Sequence, residues 1–287
     1  MICAGPVCPK NRKLFVMSYA KAWLKWFDVI EAGAAPLSAK MIELADLDRA
    51  HDVLDVGTGI GEPAISAALA LDSGGRILGV DRDPAMISIA HDRAKENGAT
   101  NIDFTVADIE TMSLGERHFD AILARWSLMF VGDTLGTFRK LATSLRPGGR
   151  LVVAAWAAPE DVPALTLAKK AVHEHFGWPD SAYVVPRSFA LSDTEATERT
   201  FIDAGFSNVS IEPFPVAFEF ASSASYIQYR TDVAGPLWEG MENEPTHVKR
   251  AAFKAIENAL QFYRVSSGHY RLVNHAYCIA GRVSEVS

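Results

Sequence analysis

The sequence predicts an α/β fold in which a mostly parallel sheet is doubly wound, with helices on both faces. Three observations predict it. Short apolar runs alternate with helical stretches at intervals of about 25 residues, the spacing of strand–helix units. The runs at residues 52–56, 76–80, 119–124 and 150–156 are rich in aliphatic residues, as strands covered on both faces must be. The first run leads into Gly57-Thr58-Gly59-Ile60-Gly61, where glycines at every second position allow positive φ and bring backbone N–H groups close to a ligand.

The elements follow in order. Residues 1–13 read as a lead-in, and Cys3 and Cys8 within it lack a second pair of metal ligands nearby. Residues 14–31 read as a helix because Val16, Ala20, Trp23, Phe27 and Ile30 form one apolar face, with Trp26 at its edge. Gly33 to Pro36 is expected to break it before a second helix over 38–45. After the glycine turn, Pro63 suits the first turn of a helix, and the alanines through Ala70 keep that helix slim. The second strand, 76–80, ends in Asp81. Asp83-Pro84 then opens a helix with Ile87, Ala90 and Ala94 inward, stopped by Asn97-Gly98.

A third strand, 101–107, ends at Asp108, and a fourth, 119–124, leads into Arg125-Trp126-Ser127. A helix over 133–145, with Leu135, Phe138, Leu141 and Leu145 inward, is expected to end at Arg146-Pro147-Gly148-Gly149 before a central fifth strand. Beyond Trp156 come helices at 163–176 and 192–204 and a strand at 206–212 that resumes at 216–220 past Pro213-Phe214-Pro215. An irregular helical stretch at 222–244 precedes a helix at 246–265, whose inward face is Val248, Ala252, Ala255, Ala259 and Phe262. A strand at 269–283 closes the chain. The expected organisation is a helical lid segment (1–37), a binding core (38–160) and a C-terminal part (161–287) carrying a helical insertion over about 221–268.

Composition bounds the function. With 287 residues and 49% hydrophobic content, the chain can bury one large core plus a lid. A net charge of −7 with no Lys/Arg run disfavours nucleic acid as a partner. Three cysteines and the lack of a long apolar leader point to a reducing, cytoplasmic setting, and no apolar run reaches the roughly 18 residues of a membrane span. A homodimer is compatible with such a chain. His173 and His175 lie two apart on a helix and so face different sides, and neither H-E-x-x-H, G-x-S-x-G nor G-K-[ST] occurs. No metal is expected and no catalytic base is assigned.

In parallel sheets ligands bind at the carboxyl ends of the strands. Those ends carry Asp55 with its glycines, Asp81, Asp108 and Arg125. Asp55 can orient the turn or meet a ligand ammonium. Asp81, twenty residues after Gly61, can accept from ribose hydroxyls. Asp108 can accept from an adenine amino group, with Ile109 packed on the ring. Arg125 can face a ligand or instead pair with a surface carboxylate. A dinucleotide fingerprint needs a small residue at position 62, where Glu62 stands, so an NAD site fits poorly.

The motifs V-L-D-V-G-T-G-I-G, G-V-D-R-D-P-A-M-I, V-A-D-I-E, F-D-A-I-L-A-R-W-S-L-M-F and L-R-P-G-G-R-L-V-V-A-A-W resemble those of class I S-adenosylmethionine (SAM)-dependent methyltransferases. The likeness is to the ubiquinone/menaquinone-biosynthesis-like, small-molecule branch. It is strong over residues 38–157 and weaker over 192–220 and 270–283. It implies a Rossmann-like seven-stranded sheet with an antiparallel last strand. It also implies a cofactor site of Asp55, Gly57, Thr58, Gly59, Gly61, Asp81, Arg82, Met86, Asp108, Ile109 and Arg125. Tyr19, Trp23, Trp126, Tyr229 and Trp238 are expected to line the acceptor side, an apolar wall suited to a small aromatic or apolar metabolite. No Asn-Pro-Pro-[Tyr/Phe] motif of nucleic-base methylation follows the fourth strand. The competing class is a SAM-binding sensor or assembly protein without methyl transfer.

Overall fold

The computed structural model describes residues 12–49, 52–71, 74–177, 186–233 and 244–285. Cys3, Cys8, Trp238 and the stretch 234–243 of the expected insertion lie outside the described residues. The helices are α1 (Arg12–Lys25), α2 (Phe27–Ala45), α3 (Ala64–Ala70), α4 (Pro84–Glu96), α5 (Thr134–Ser144), α6 (Pro163–Phe176), α7 (Thr194–Asp203), α8 (Ser223–Val233) and α9 (Thr246–Leu260). The strands are β1 (Asp52–Val56), β2 (Arg76–Asp81), β3 (Ile102–Val106), β4 (Phe119–Arg125), β5 (Leu145–Trp156), β6 (Phe206–Phe220) and β7 (Tyr270–Val283).

One seven-stranded sheet runs in the order β3-β2-β1-β4-β5-β7-β6. The pairs from β3 to β5 are parallel, and β7 is antiparallel to both β5 and β6. This is the sheet the sequence led one to expect, last strand included. The order reverses between β1 and β4, so a crevice opens at their carboxyl ends. Register places Asp55 of β1 beside Gly79 of β2 and Leu123 of β4. The core is densest along β5, where Leu151, Val152, Val153 and Ala154 are all fully buried. Among the described residues no helix is long and apolar enough to cross a membrane.

Four local expectations are corrected. The break in the N-terminal helical region falls at Trp26, and α2 runs through Gly33 and Pro36 without interruption. Burial overrides the breaker residues there, since Ile30, Ala34, Leu37, Met41 and Ala45 are all nearly or fully buried. Gly33 serves a close approach instead, because a Cβ on it would lie 2.2 Å from the Ala217 carbonyl oxygen of β6.

Arg146 to Gly149 are part of β5, which starts at Leu145 and reaches β4 through an irregular step between Phe119 and Ala121. Pro213 and Pro215 do not split β6, because it is an edge strand and can spare a ladder bond. In α9 the buried stripe is Ala252, Ile256 and Leu260. Phe262 lies beyond the helix end, in a tight turn at Gln261–Tyr263 that shifts the helical phase, and is 87% exposed.

Candidate cofactor and acceptor site

The turn after β1 is built from backbone hydrogen bonds. Gly57 and Thr58 both donate to the Val80 carbonyl, at 2.8 and 2.9 Å, which ties the turn to the end of β2. Gly57, Gly59 and Gly61 have φ of 69°, 55° and 105°, the left-handed region that side chains disfavour. At Gly57 an added Cβ would lie 2.3 Å from the Ser127 Cβ, so the turn presses on the exit of β4. At Gly59 an added Cβ would meet nothing within 4 Å, so this glycine faces open space. The Gly59 N–H donates to Asp81 Oδ2 at 2.9 Å, and the Asp83 N–H donates to Asp81 Oδ1 at 2.9 Å. One carboxylate therefore joins the glycine turn to the start of α4, and burial raises its pKa.

Asp55 lies beneath this turn, fully buried, and neither carboxyl oxygen has a hydrogen-bond partner. Burial pushes its pKa up to about 7, while the adjacent Thr58 hydroxyl and the Arg125 guanidinium pull it back down. The Thr58 hydroxyl is itself buried without a completed hydrogen bond. An unsatisfied buried carboxyl normally costs on the order of 1–3 kcal/mol, so its presence beside an open glycine is a mark of a ligand site.

The helix α1 lies over the turn. Ala20 of α1, Ile60 of the turn and Met86 of α4 form a small buried cluster, with Trp23 and Phe27 packed against it. Tyr19 and Trp23 meet edge to face at 6.2 Å. Tyr19 is 37% exposed, and its pKa is raised chiefly by burial. The charges of Asp81 and Arg82 act on its hydroxyl, in keeping with the packing of α1 on Ile60 and Met86.

Arg125 pairs with a carboxylate, but with the largely buried Glu31, 15% exposed, rather than with one at the surface. Its guanidinium grips Glu31 of α2 through two hydrogen bonds of 2.8 and 2.9 Å and the Ser38 hydroxyl at 2.7 Å. The next residue, Trp126, has φ of 55°, a strained conformation for a bulky side chain. It is held by its N–H on the Ala154 carbonyl and by a short Ser127 hydroxyl bond to the Val56 carbonyl. The strain turns the Trp126 ring onto Trp156, stacked at 4.3 Å and 14°. From Trp156 the wall continues edge to face through Phe218 and Tyr229 to Trp26. Asp232 of α8 then accepts from Lys25 and from the Trp26 indole, which fastens the insertion to the N-terminal helices.

The sequence and the fold have known counterparts. A family model described as a methyltransferase domain matches residues 47–185. An aklanonic acid methyltransferase, DauC, of Streptomyces sp. (strain C5) is 30% identical over 182 residues, covering 61% of this chain and 83% of that protein. This chain is a class I methyltransferase. A phosphoethanolamine N-methyltransferase of Triticum aestivum is 28% identical over 64% of the chain, and the chain spans only 34% of that longer relative. In three dimensions the methyltransferase is similar to the YcgJ protein of Bacillus subtilis, with a TM-score of 0.59 and 19% identity, covering 88% of this chain and 99% of that one.

Within the methyltransferase, the structure gathers Asp55, Gly57, Thr58, Gly59, Gly61 and Asp81 around one turn, with Tyr19 and Trp23 above it. Asp108 is exposed at the end of β3 and caps its own turn, accepting from the Glu110 N–H at 2.9 Å. Ile109 beside it is buried. Arg82 is exposed, and Met86 packs inward.

Several contributors were missed in the sequence. Arg93 of α4 donates to the Ile60 carbonyl at 2.6 Å, pairs with Glu62 at 3.4 Å and lies over the Phe27 ring at 3.8 Å, which clamps the glycine turn. Its signal was a charge next to the inward positions Ala90 and Ala94. Glu31 and Ser38 left none, because their partner lies about ninety residues away in the chain.

Proposed function

We propose that this methyltransferase binds SAM at the β1 turn and moves its methyl group to an O, N or C atom of a small aromatic or apolar metabolite. The observation that carries the reading is the buried, unpartnered Asp55 carboxyl beneath an open, positive-φ Gly59. These residues fit the group: the glycine backbone can pass close to a ligand, Asp55 can receive an ammonium, and Asp81 borders the position where a ribose would lie. Asp108 and Ile109 would flank the base. The cofactor, when bound, supplies an already activated methyl carbon. The chain's own task is then alignment and exclusion of water.

Tyr19 and Trp23 would cover the turn, and Trp126, Trp156 and Tyr229 would hold a flat acceptor against it. Arg125 would act indirectly, keeping the Trp126 backbone and α2 in register through Glu31. The names of the relatives, an aklanonic acid methyltransferase and a phosphoethanolamine N-methyltransferase, support a small acceptor. The test is calorimetry with SAM and S-adenosylhomocysteine (SAH), followed by SAH production across phenols, quinols, amines and carboxylates. Binding with turnover of at least one acceptor class is expected. Binding without turnover of any class would favour a sensor, and no binding would remove the reading.

A further inference from the structure

Arg230, on the last turn of α8, is 5% exposed. Its Nε is fully buried without a hydrogen-bond partner, and among the described residues the side chain makes no ion pair. The other buried arginines are all engaged: Arg93 by the Ile60 carbonyl and Glu62, Arg125 by Glu31 and Ser38. The acid nearest in sequence, Asp232, is taken up by Lys25, Trp26 and Gln228. A nearly buried guanidinium whose Nε has no acceptor is costly, so its retention calls for an anion that no described residue supplies.

Its surroundings say where that anion arrives. The positive charge of Arg230 is felt by the hydroxyls of Tyr226 and Tyr229 on its own helix and by Tyr19 of α1. Tyr226 is committed to structure, accepting from the Ala168 N–H at 3.2 Å. Tyr19 borders Asp81 and the glycine turn, whereas Tyr229 belongs to the aromatic wall with Phe218 and Trp26. Arg230 therefore stands where the lid helix α1 meets the insertion.

We propose that Arg230 is the anion receptor of the acceptor site, and that the acceptor is an apolar or aromatic small molecule carrying an oxyanion. A planar guanidinium takes a carboxylate or a phosphate monoester through paired N–H groups, and the Tyr229 hydroxyl can add a third donor. The aromatic wall then holds the body of the molecule, with its reactive atom toward the glycine turn. This inference rests on the proposed function, because it names the acceptor class of the same site.

The test uses the full chain saturated with SAH and three probes: benzoate, phenyl phosphate and neutral benzyl alcohol. Binding is read by ligand-observed NMR and tryptophan fluorescence. At least one anionic probe is expected to bind about tenfold or more tighter than benzyl alcohol, and which one does so separates carboxylate from phosphate recognition. Arg230→Gln should erase that preference while SAH affinity changes less than about twofold, and Arg230→Lys should keep part of it. The Gln variant should melt at or above the parent temperature, because it removes an uncompensated buried charge.

Three results would overturn the proposal: no anion preference in the parent protein, an unchanged preference in Arg230→Gln, or SAH binding weakened as much as probe binding. The last would assign the guanidinium to the cofactor's own carboxylate. Failure of the parent to bind SAH at all would instead sink the underlying function, so the two failures are distinguishable.

Discussion

If Asp55 receives the cofactor ammonium as proposed, SAM binding is pH-dependent in a way that can be worked from the structure. Its carboxyl is fully buried, completes no hydrogen bond although the Thr58 hydroxyl lies close enough to lower its pKa, and is raised from 3.8 to about 7 chiefly by desolvation. In the free protein at pH 6 it therefore holds its proton. An arriving ammonium favours the carboxylate, so SAH binding at pH 6 should expel about one proton, and at pH 8.5 almost none. Affinity should rise about tenfold between pH 6 and pH 8.

The stability of the free protein runs the other way. Between pH 3.8 and 7 the folded chain keeps a proton that the unfolded chain gives up, so stability from this group is lost as pH rises through that window. A gap of about three pKa units corresponds to about 4 kcal/mol. Asp55→Asn should remove this loss, raising the stability of the free protein at pH 8. It should also weaken SAH binding there by about tenfold or more and flatten its pH dependence. Calorimetry in buffers of differing ionisation enthalpy counts the protons, and urea melts give the stability. Proton release that does not vary with pH, or an Asn variant that binds SAH like the parent, would refute the reasoning.

Other residues give contrasting outcomes. Gly59→Ala meets no protein atom within 4 Å, so urea melts should show only the left-handed backbone cost of about 1–2 kcal/mol, while SAH affinity falls at least tenfold by calorimetry. Arg125→Met strands the Glu31 carboxylate, 15% exposed, beneath α2 and should cost about 3–5 kcal/mol. Adding Glu31→Leu should recover most of that loss in a double-mutant cycle. Phe262→Ser, at a position 87% exposed, should change stability by less than about 0.5 kcal/mol; a larger loss would mean that the face is covered in solution.

The comparison of expectation with structure divides by range. The glycine turn, the carboxylates ending β1, β2 and β3, and the alternation of strands with helices were legible because each is a short-range pattern. A strand period, a capping pair such as Asp83-Pro84 or a glycine at positive φ leaves its mark within a few residues. Errors clustered where distant burial outweighed a local signal. Pro36 and Gly33 read as a break, yet α2 continues because its stripe from Ile30 to Ala45 is buried against β6 and its neighbours.

By itself, then, the sequence determined the sheet architecture, the position of the glycine turn and the methyltransferase family. Only the tertiary structure decided which charges are spent and which are spare. Arg125 is consumed by Glu31 and Ser38, Arg93 by Glu62 and Ile60, whereas Asp55 and Arg230 stay unpaired among the described residues. Whether a buried charge finds its counterpart depends on elements up to a hundred residues apart, brought together by packing the sheet and its helices. No local pattern records that encounter.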